Sequence, residues 1–473
     1  RRRRGRAVTA SPPLEAAREV FAGRAVWIVG GTVRDQLLGR VTTDLDLAVQ
    51  GDPQDAAKAL ARASGGVPFR LSGAFGAWRV VGPGHGWHVD LVILRDGDIH
   101  ADLGARDFTL NAMALPLAGG DLLDPHGGRS DLQARRLRMV APAALADDPL
   151  RTLRAIRLAI ELELTIEPAT AAAIGQAAPG LERVAAERIF GELKHIIRSP
   201  AVRIGLGLMD AHGITAAVLP ELAALHGVEQ NVFHHLDVHD HTLEVLDQVG
   251  AIERDPLAAG FGEHAEAVAA LMREPLADEL TRGDSMRLAA LLHDAAKPWT
   301  RAERPGGGFG FPGHDREGAQ LARDVLRRLR ASGALTDHVV ALCLHHLRLG
   351  FLVHERPLDR RSLWRYLRAT EPHAADVTIF TVADRLATRG KNAEPAIQAH
   401  VALAREVLRP ALARRGQGAG EPLLRGDELA RELGLRPGRE LGELLDQLEE
   451  DRFAGEIRTP ADALRRAREL RAG

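Results

Sequence analysis

Two aspartates, Asp44 and Asp46, stand two residues apart in VTTDLDLAV (41–49), a β-branched, apolar run that reads as a strand. Side chains at i and i+2 of a strand share a face, about 7 Å apart at Cα, so these carboxylates point together. Without a cation they repel and one protonates; with one they become oxygen ligands of the kind Mg2+ accepts beside substrate phosphates. Standing alone, such a pair is explained by a solvated strand face. Directly upstream, however, IVGGTVRDQLLG runs from an apolar strand through Gly30 and Gly31 into a helix. Backbone N–H groups there can approach a polyphosphate, the helix start favours negative charge, and Arg34 offers a guanidinium to an oxygen. A strand-to-helix glycine pair is commonly just a tight turn, and this one is not a Walker loop, since no Gly-Lys-Ser/Thr follows. The order is what points to chemistry: a phosphate cradle, a short helix, then two carboxylates on the next strand can hold a nucleoside triphosphate and its metals for attack by a hydroxyl.

A second group lies further along, in HHLDVHDHTLEVL, LAALLHDAAKPWT, FPGHDREGA, LCLHHLRLG and VADRLATRG. A lone histidine on a helix is a satisfied core or surface group. Five segments that each bring His or Asp, one with His293 and Asp294 adjacent, predict a metal site.

The elements that must position these residues change character along the chain. From Arg24 to about Val140, short strands and helices alternate (AVWIV, TVRDQLLG, LDLAV, QDAAKALARAS, WHVDLVIL), the pattern of an α/β or α+β unit. From Asp147 onward, PLRTLRAIRLAIEL, AAERIFGELKHII, MRLAALLHDAAK and GAQLARDVLRRL carry apolar residues at three-and-four spacing, and the rest reads as helical. Gly/Pro clusters at 304–313 and 415–422 read as loops, the second as a linker before a helical tail.

At 473 residues the chain is too long for one core, and its 45% hydrophobic content is ample for burial. No run approaches the eighteen or so uninterrupted apolar residues of a membrane span. The basic start, RRRRGRAVTASPP, has no apolar signal core after it and is expected to form a disordered leader. The single cysteine, Cys343, excludes an internal disulfide and a Cys-based metal site, which points to the cytoplasm. Net charge is −2, so no global basic footprint predicts nucleic-acid binding. Lysine is confined to Lys58, Lys194, Lys297 and Lys391, an Arg bias that a GC-rich genome explains as well as phosphate recognition does.

The motifs GGTVRD, LLG, DLDL, RDFTLNAMAL, LLDPHGGRSDLQARRLR, DDPLRTLRAIRLA and ERIFGEL occur in this order over about residues 24–200. In this the chain resembles class II tRNA nucleotidyltransferases and the related bacterial poly(A) polymerases. The resemblance implies an α+β fold: a polymerase-β-like nucleotidyltransferase head (24–140) after the leader (1–23), then an all-α nucleotide-selecting neck (141–200), an HD-type helical body (201–410) and a helical tail (411–473). It implies that Asp44 and Asp46 are the Mg2+-binding catalytic carboxylates, that Gly30, Gly31 and Arg34 hold the triphosphate, and that Arg106 and Asp107 belong to the ribose-recognising segment. Where relatives have two arginines before that Asp, this chain has Ala105 then Arg106. The partners implied are the tRNA 3′ end, CTP and ATP, with no membrane.

Within DDPLR, Asp148 and Arg151 lie three apart at a helix start. A carboxylate accepts from the exocyclic amine of cytosine or adenine while a guanidinium donates to the adjacent ring acceptor; uracil and guanine present the opposite pattern. Arg154 extends the same helix toward phosphates or solvent. In enzymes that add all of CCA, a longer flexible segment precedes the RRDFT-like motif; here only DGDIHADLGA intervenes, which raises addition of CC alone beside full CCA addition, with poly(A) addition a further alternative. The histidine order resembles HD-domain phosphohydrolases, implying His241, His293, Asp294, His314, His345 or its neighbour His346, and Asp384 as ligands of a divalent transition metal such as Ni2+ or Mn2+, with Lys297 toward phosphate. A chain that is mainly a phosphohydrolase of RNA ends is the rival from another class.

Overall fold

The computed structural model describes residues 12–40, 44–72, 76–305, 307–417 and 421–472. Two compact units divide between Val218 and Leu219. The first is built on a six-stranded mixed sheet: β1 (Val26–Val29), β2 (Asp44–Val49), β3 (Val67–Ser72), β4 (Ala77–Val81), β5 (His88–Ile93) and β6 (Ala114–Pro116). Their spatial order is β3-β4-β5-β2-β1-β6, with β2 and β5 parallel and the other neighbours antiparallel.

Alternation in β2 decides where the carboxylates go. Leu45, Leu47 and Val49 are buried in a core shared with Leu14 and Ala17 of the helix Pro12–Val20 and with Ala56, Ala57 and Leu60 of the helix Pro53–Ser64. Each fully buried leucine contributes about 1.5–3 kcal/mol. A one-residue slip would expose these side chains and drive two carboxylates into hydrocarbon, so the register is strongly held. The segment expected as a leader therefore has two fates. Residues from Pro12 on are a working part of the head, because Leu14, Ala17 and Phe21 cover its sheet, while residues 1–11 lie outside the described residues.

The neck helices Leu150–Glu161 and Ala186–Arg198 continue the first unit, which extends past the expected boundary at 200. The reason is local. The helix Val202–Ala211 packs on both, and a Cβ at Gly205 would stand 3.0 Å from Ile196 and 3.1 Å from Ile160, so glycine permits this approach.

In the second unit, five helices carry the histidine motifs: Val238–Arg254, Arg282–Leu292, His314–Arg328, Gly333–His345 and Ala374–Ala387. Side-chain caps set several of their starts, and hence the phase of the residues they present. Asp237 accepts from Asp240 N–H (2.8 Å), Thr281 and Asp284 form a capping box, and Ser332 accepts from Leu335 N–H (3.3 Å). The helix Ala393–Gln417 runs across the expected body–tail boundary and into the Gly-rich stretch expected as a linker. The tail helices Gly426–Leu433, Arg439–Ala454 and Pro460–Ala472 enclose a small core of Leu429, Leu441, Leu444, Leu448 and Ile457. Among the described residues, no helix is long and apolar enough to cross a membrane.

Candidate active site and metal centre

β1 is followed by Gly30, whose φ of +66° suits glycine. A Cβ there would lie 3.0 Å from Arg106 Nη1 and 3.3 Å from Asp46 Oδ2, so bare backbone, a guanidinium and a carboxylate converge on this turn. Thr32, in the helix Gly31–Leu37, pins the turn to β2. Its hydroxyl accepts from Asp46 N–H (2.9 Å) and donates to the Asp44 carbonyl (3.2 Å).

The parallel register sets Asp44 beside His88 and Asp46 beside Asp90. His88 Nδ1 lies 3.0 Å from Asp44 Oδ1, and Arg79 of β4 holds Asp90 by two hydrogen bonds of 2.6 and 2.7 Å. Burial, followed by the charge of Asp90, pushes the Asp46 carboxyl up to about 6, against the pull of Arg106. Two acids, one of them reluctant to ionise without a counter-charge, are a ready oxygen donor set for a divalent cation.

Opposite them, a polar chain runs from the cradle into the neck. Arg34 donates to Asp35 (2.9 and 3.0 Å) and to Asn111 Oδ1 (2.9 Å), and Asn111 donates to Asp107 (3.0 Å). Arg154 bridges Asp107 (3.2 Å) and Glu192 (3.0 Å), and Arg157 meets the other oxygen of Glu192 at 2.7 Å. Burial works against ionisation of Asp107, yet Arg154, Asn111 and the Phe108 N–H hold it below the usual carboxylate range.

A cleft of about 600 Å3 is lined by Gly30, Gly31, Arg34, Asp44, Asp46, Arg106, Asp107, Arg151 and Arg154, together with Arg79, His88, Asp90, Asn111 and Arg157. All the head and neck residues expected at the site line it except Asp148. Asp148 is engaged by Arg188 (2.8 Å), and Arg151 donates to the carbonyls of Ala144 and Ala105 (both 3.0 Å). Arg79, His88 and Asn111 escaped the sequence reading. Only strand register and a 77-residue separation bring them to Asp44, Asp46 and Arg34.

The segment DGDIHADLGA folds as a 3-10 turn, Arg95–Gly97, followed by the helix Ile99–Gly104, capped by Asp98 on Ala101 N–H (3.1 Å). Ile99 and Leu103 are buried, and Asp102 ties Arg106 at 2.8 and 3.0 Å.

The second unit gathers His241, His293, Asp294, His314 and Asp384, and of the adjacent pair it is His346, not His345, that joins them. His346 is buried, with Nδ1 2.6 Å from the Cys343 carbonyl, whereas His345 is partly exposed and turns Nδ1 to Arg348 (3.4 Å). Adjacent helical residues are rotated by about 100°, so only one of the pair can face the centre. His293 and His314 repeat the pattern, with Nδ1 2.9 and 2.6 Å from the carbonyls of Ala290 and Phe311. A carbonyl only accepts, so each Nδ1 carries the proton and each Nε2 presents a lone pair. The buried Nε2 atoms of His241, His293, His314 and His346, and Asp294 Oδ1, have no hydrogen-bond partner. Buried polar atoms left this way are costly unless something else occupies them, and this donor set fits a divalent metal. Burial opposes ionisation of Asp294, but His293 and Lys297, whose Nζ lies 2.6 Å from Oδ2, hold its carboxyl well below the ordinary range. A cavity of about 700 Å3 opens on the centre, lined also by His234, Lys297, Arg304, Phe351, Arg385 and His400. By contrast, the cluster of His338, His373 and Asp376 already has its cation, since Arg282 donates to both Asp376 oxygens at 2.9 and 3.0 Å.

The chain is similar to known proteins over most of its length. Residues 26–81 and 87–138 match the poly A polymerase head domain, 163–225 the "Probable RNA and SrmB- binding site of polymerase A", and 261–389 the HD domain. An A-adding tRNA nucleotidyltransferase of Deinococcus radiodurans is 38% identical over 442 residues, 92% of this chain and 93% of that protein. A CC-adding tRNA nucleotidyltransferase of Thermus thermophilus is 35% identical over 445 residues, 92% of this chain and 91% of that one. The fold is that of a CCA-adding enzyme solved in complex with CTP, with a TM-score of 0.62 at 21% identity, covering 97% of this chain and 95% of that one.

Proposed function

Because the chain belongs to the tRNA nucleotidyltransferase family, we propose that its head transfers C and/or A from CTP and ATP to the 3′ hydroxyl of tRNA, with Asp44 and Asp46 as the catalytic carboxylates. The observation that carries this reading is the convergence of both carboxylates, the bare backbone at Gly30 and the guanidinium of Arg106 on one cleft. Mg2+ is the hard, oxygen-seeking cation that suits Asp44 and Asp46; bound there, it lowers the pKa of the attacking ribose hydroxyl and neutralises the departing pyrophosphate. Gly30 and Gly31 leave backbone N–H groups open to phosphate oxygens, and Arg106 faces the same space. Thr32 fixes the distance between cradle and carboxylates, which is the positioning that phosphoryl transfer depends on.

Base choice falls to Asp148 and Arg151. Arg151 spends two of its five N–H donors on carbonyls and keeps others for a ring acceptor. Asp148, engaged by Arg188, retains lone pairs for an exocyclic amine. The helix Ile99–Gly104 is capped and buries Ile99 and Leu103 in the head, which leaves only the short exposed turn at 95–98 before it to reshape the pocket, and this favours addition of C alone. The test supplies tRNA transcripts ending at the discriminator base, at C and at CC with each labelled triphosphate in turn. Incorporation of C alone is expected; A added to a CC end overturns the restriction, and long A tracts overturn the tRNA assignment.

The four buried, partnerless Nε2 atoms favour a second activity, metal-dependent hydrolysis of phosphoesters at RNA ends. A divalent transition metal such as Ni2+ or Mn2+ supplies Lewis acidity there when bound. Lys297 and Arg385 line the same cavity and offer cationic groups to a phosphate. Opening of 2′,3′-cyclic ends to a phosphomonoester, or release of phosphate from 3′-phosphate ends, that needs Ni2+ or Mn2+ is the expected result.

A further inference from the structure

Apart from both sites, three polar side chains of the second unit form an unbroken buried chain. Ser285 Oγ lies 2.7 Å from His338 Nδ1, and His338 Nε2 lies 3.1 Å from Asp376 Oδ1. A carboxylate only accepts, so Nε2 donates to Asp376 and Nδ1 accepts from the Ser285 hydroxyl. The order is that of a hydrolytic triad, but all three residues are fully shielded from water and none of them lines either cavity, so no substrate reaches the serine.

What the chain shares with the metal centre is its helices. Ser285 belongs to Arg282–Leu292, His338 to Gly333–His345 and Asp376 to Ala374–Ala387. Each stands eight residues before a residue of the centre: His293 and His346, which cap the first two helices, and Asp384 within the third. Eight residues are just over two turns, about 12 Å along the axis. The three helices therefore meet twice, once through hydrogen bonds and once at the centre. There the rings of His293 and His346 stand 5.2 Å apart and His293 Nε2 lies 4.0 Å from Asp384 Oδ1. Between the two layers Leu288, Leu292, Leu342 and Phe380 are buried. Such apolar contact is non-directional and tolerates sliding and rotation, whereas a hydrogen bond holds only over a narrow range of distance and angle. A buried polar chain gains little stability over apolar packing of the same volume, and its best-attested use is to set register. Arg282 fixes the foot of the chain, donating to both oxygens of Asp376 and to Glu274 (3.1 Å). We infer that Ser285, His338 and Asp376 are positioning residues that set the height and rotation of three helices, and with them the spacing of His293, His346 and Asp384. The inference rests on the reading of that cluster as a metal centre.

The test uses the full chain carrying Asp44→Asn and Asp46→Asn, which remove the head's carboxylates, stripped with chelator and loaded with Co2+, whose visible absorption bands report the geometry of its ligands. His338→Leu has a similar volume and breaks both bonds, so its bands should shift. With metal saturating, hydrolysis of an RNA oligonucleotide ending in a 2′,3′-cyclic phosphate should lose about tenfold or more in kcat with KM unchanged. His338→Gln keeps an N–H for Asp376 and should return the bands toward those of the parent. Leu335→Ala, buried one turn away on the same helix, weakens packing without touching the chain and should leave the bands in place. Circular dichroism checks the fold of each variant. If His338→Leu does not fold, Ser285→Ala, which removes one oxygen atom, decides. Unshifted bands in the deciding variant overturn the positioning role while the metal-centre reading stands, and so does an equal shift in Leu335→Ala. A parent chain without Co2+ bands overturns the metal-centre reading and the inference with it.

Discussion

The carboxyl of Asp46 sets catalytic need against stability. Its pKa is raised from 3.8 to about 6, first by burial and then by Asp90. The folded state therefore holds a proton that the unfolded chain releases near pH 3.9, and stability falls as pH rises from about 4 to 6. Above pH 6 the full penalty is in place. A shift of about two units is worth about 3 kcal/mol, which the partial exposure of this side chain reduces to about 1–3 kcal/mol. Asn has nearly the shape of the protonated acid and no charge. Asp46→Asn should therefore abolish nucleotide transfer yet stabilise the metal-free first unit by about 1–3 kcal/mol at pH 7.5, raising its midpoint by about 3–9 °C. Calorimetry in chelator resolves this, with the gain shrinking toward zero as pH approaches 4. Saturating Mg2+ should narrow the gap at pH 7.5 by stabilising only the parent. A lower midpoint for Asp46→Asn at pH 7.5, or a gain unchanged between pH 7.5 and 4.5, would refute the electrostatic argument.

Other outcomes follow from the same geometry. The double variant Asp44→Asn/Asp46→Asn should lose at least about a thousandfold in transfer while Ni2+- or Mn2+-dependent phosphate release is kept; loss of both activities would argue against separate sites. Arg154→Ala leaves the buried carboxylates of Asp107 and Glu192 short of a partner, although Asn111 and Arg157 remain. About 2–4 kcal/mol of destabilisation in urea unfolding is expected, with a raised KM for both triphosphates. Gly30→Ala combines a positive φ with a Cβ 3.0 Å from Arg106, so a cost of about 1–2 kcal/mol and a roughly tenfold loss in kcat/KM should appear in steady-state assays. Arg188→Ala frees Asp148, and the ratio of CTP to ATP use should change while transfer itself persists.

Much of this protein is written in local pattern. Alternation in DLDLAV places Asp44 and Asp46 on one face, the Gly30–Gly31 turn marks the start of a helix, and three-and-four spacing marks the helical remainder. The adjacent His293 and Asp294, with the histidines on other helices, announce a metal centre. These features depend on residues close in the chain, where periodicity carries the information. Tertiary structure decided what depends on distant segments meeting. The parallel pairing of β2 with β5 brought His88 and Asp90 to the carboxylates, and Arg79 came with β4. Arg188 and Arg151 gained partners 40 and 46 residues away, so each member of the expected pair at the neck is also engaged by other bonds. The helix Pro12–Val20 joined the head because an apolar sheet face needed covering. His346 displaced His345 because helical phase, set by the cap at Ser332 and the packing of its helix, turns one of two adjacent rings inward. Local sequence dictates which way a side chain faces along its own element; what it then meets is set by how the elements pack, and no single stretch of sequence contains that.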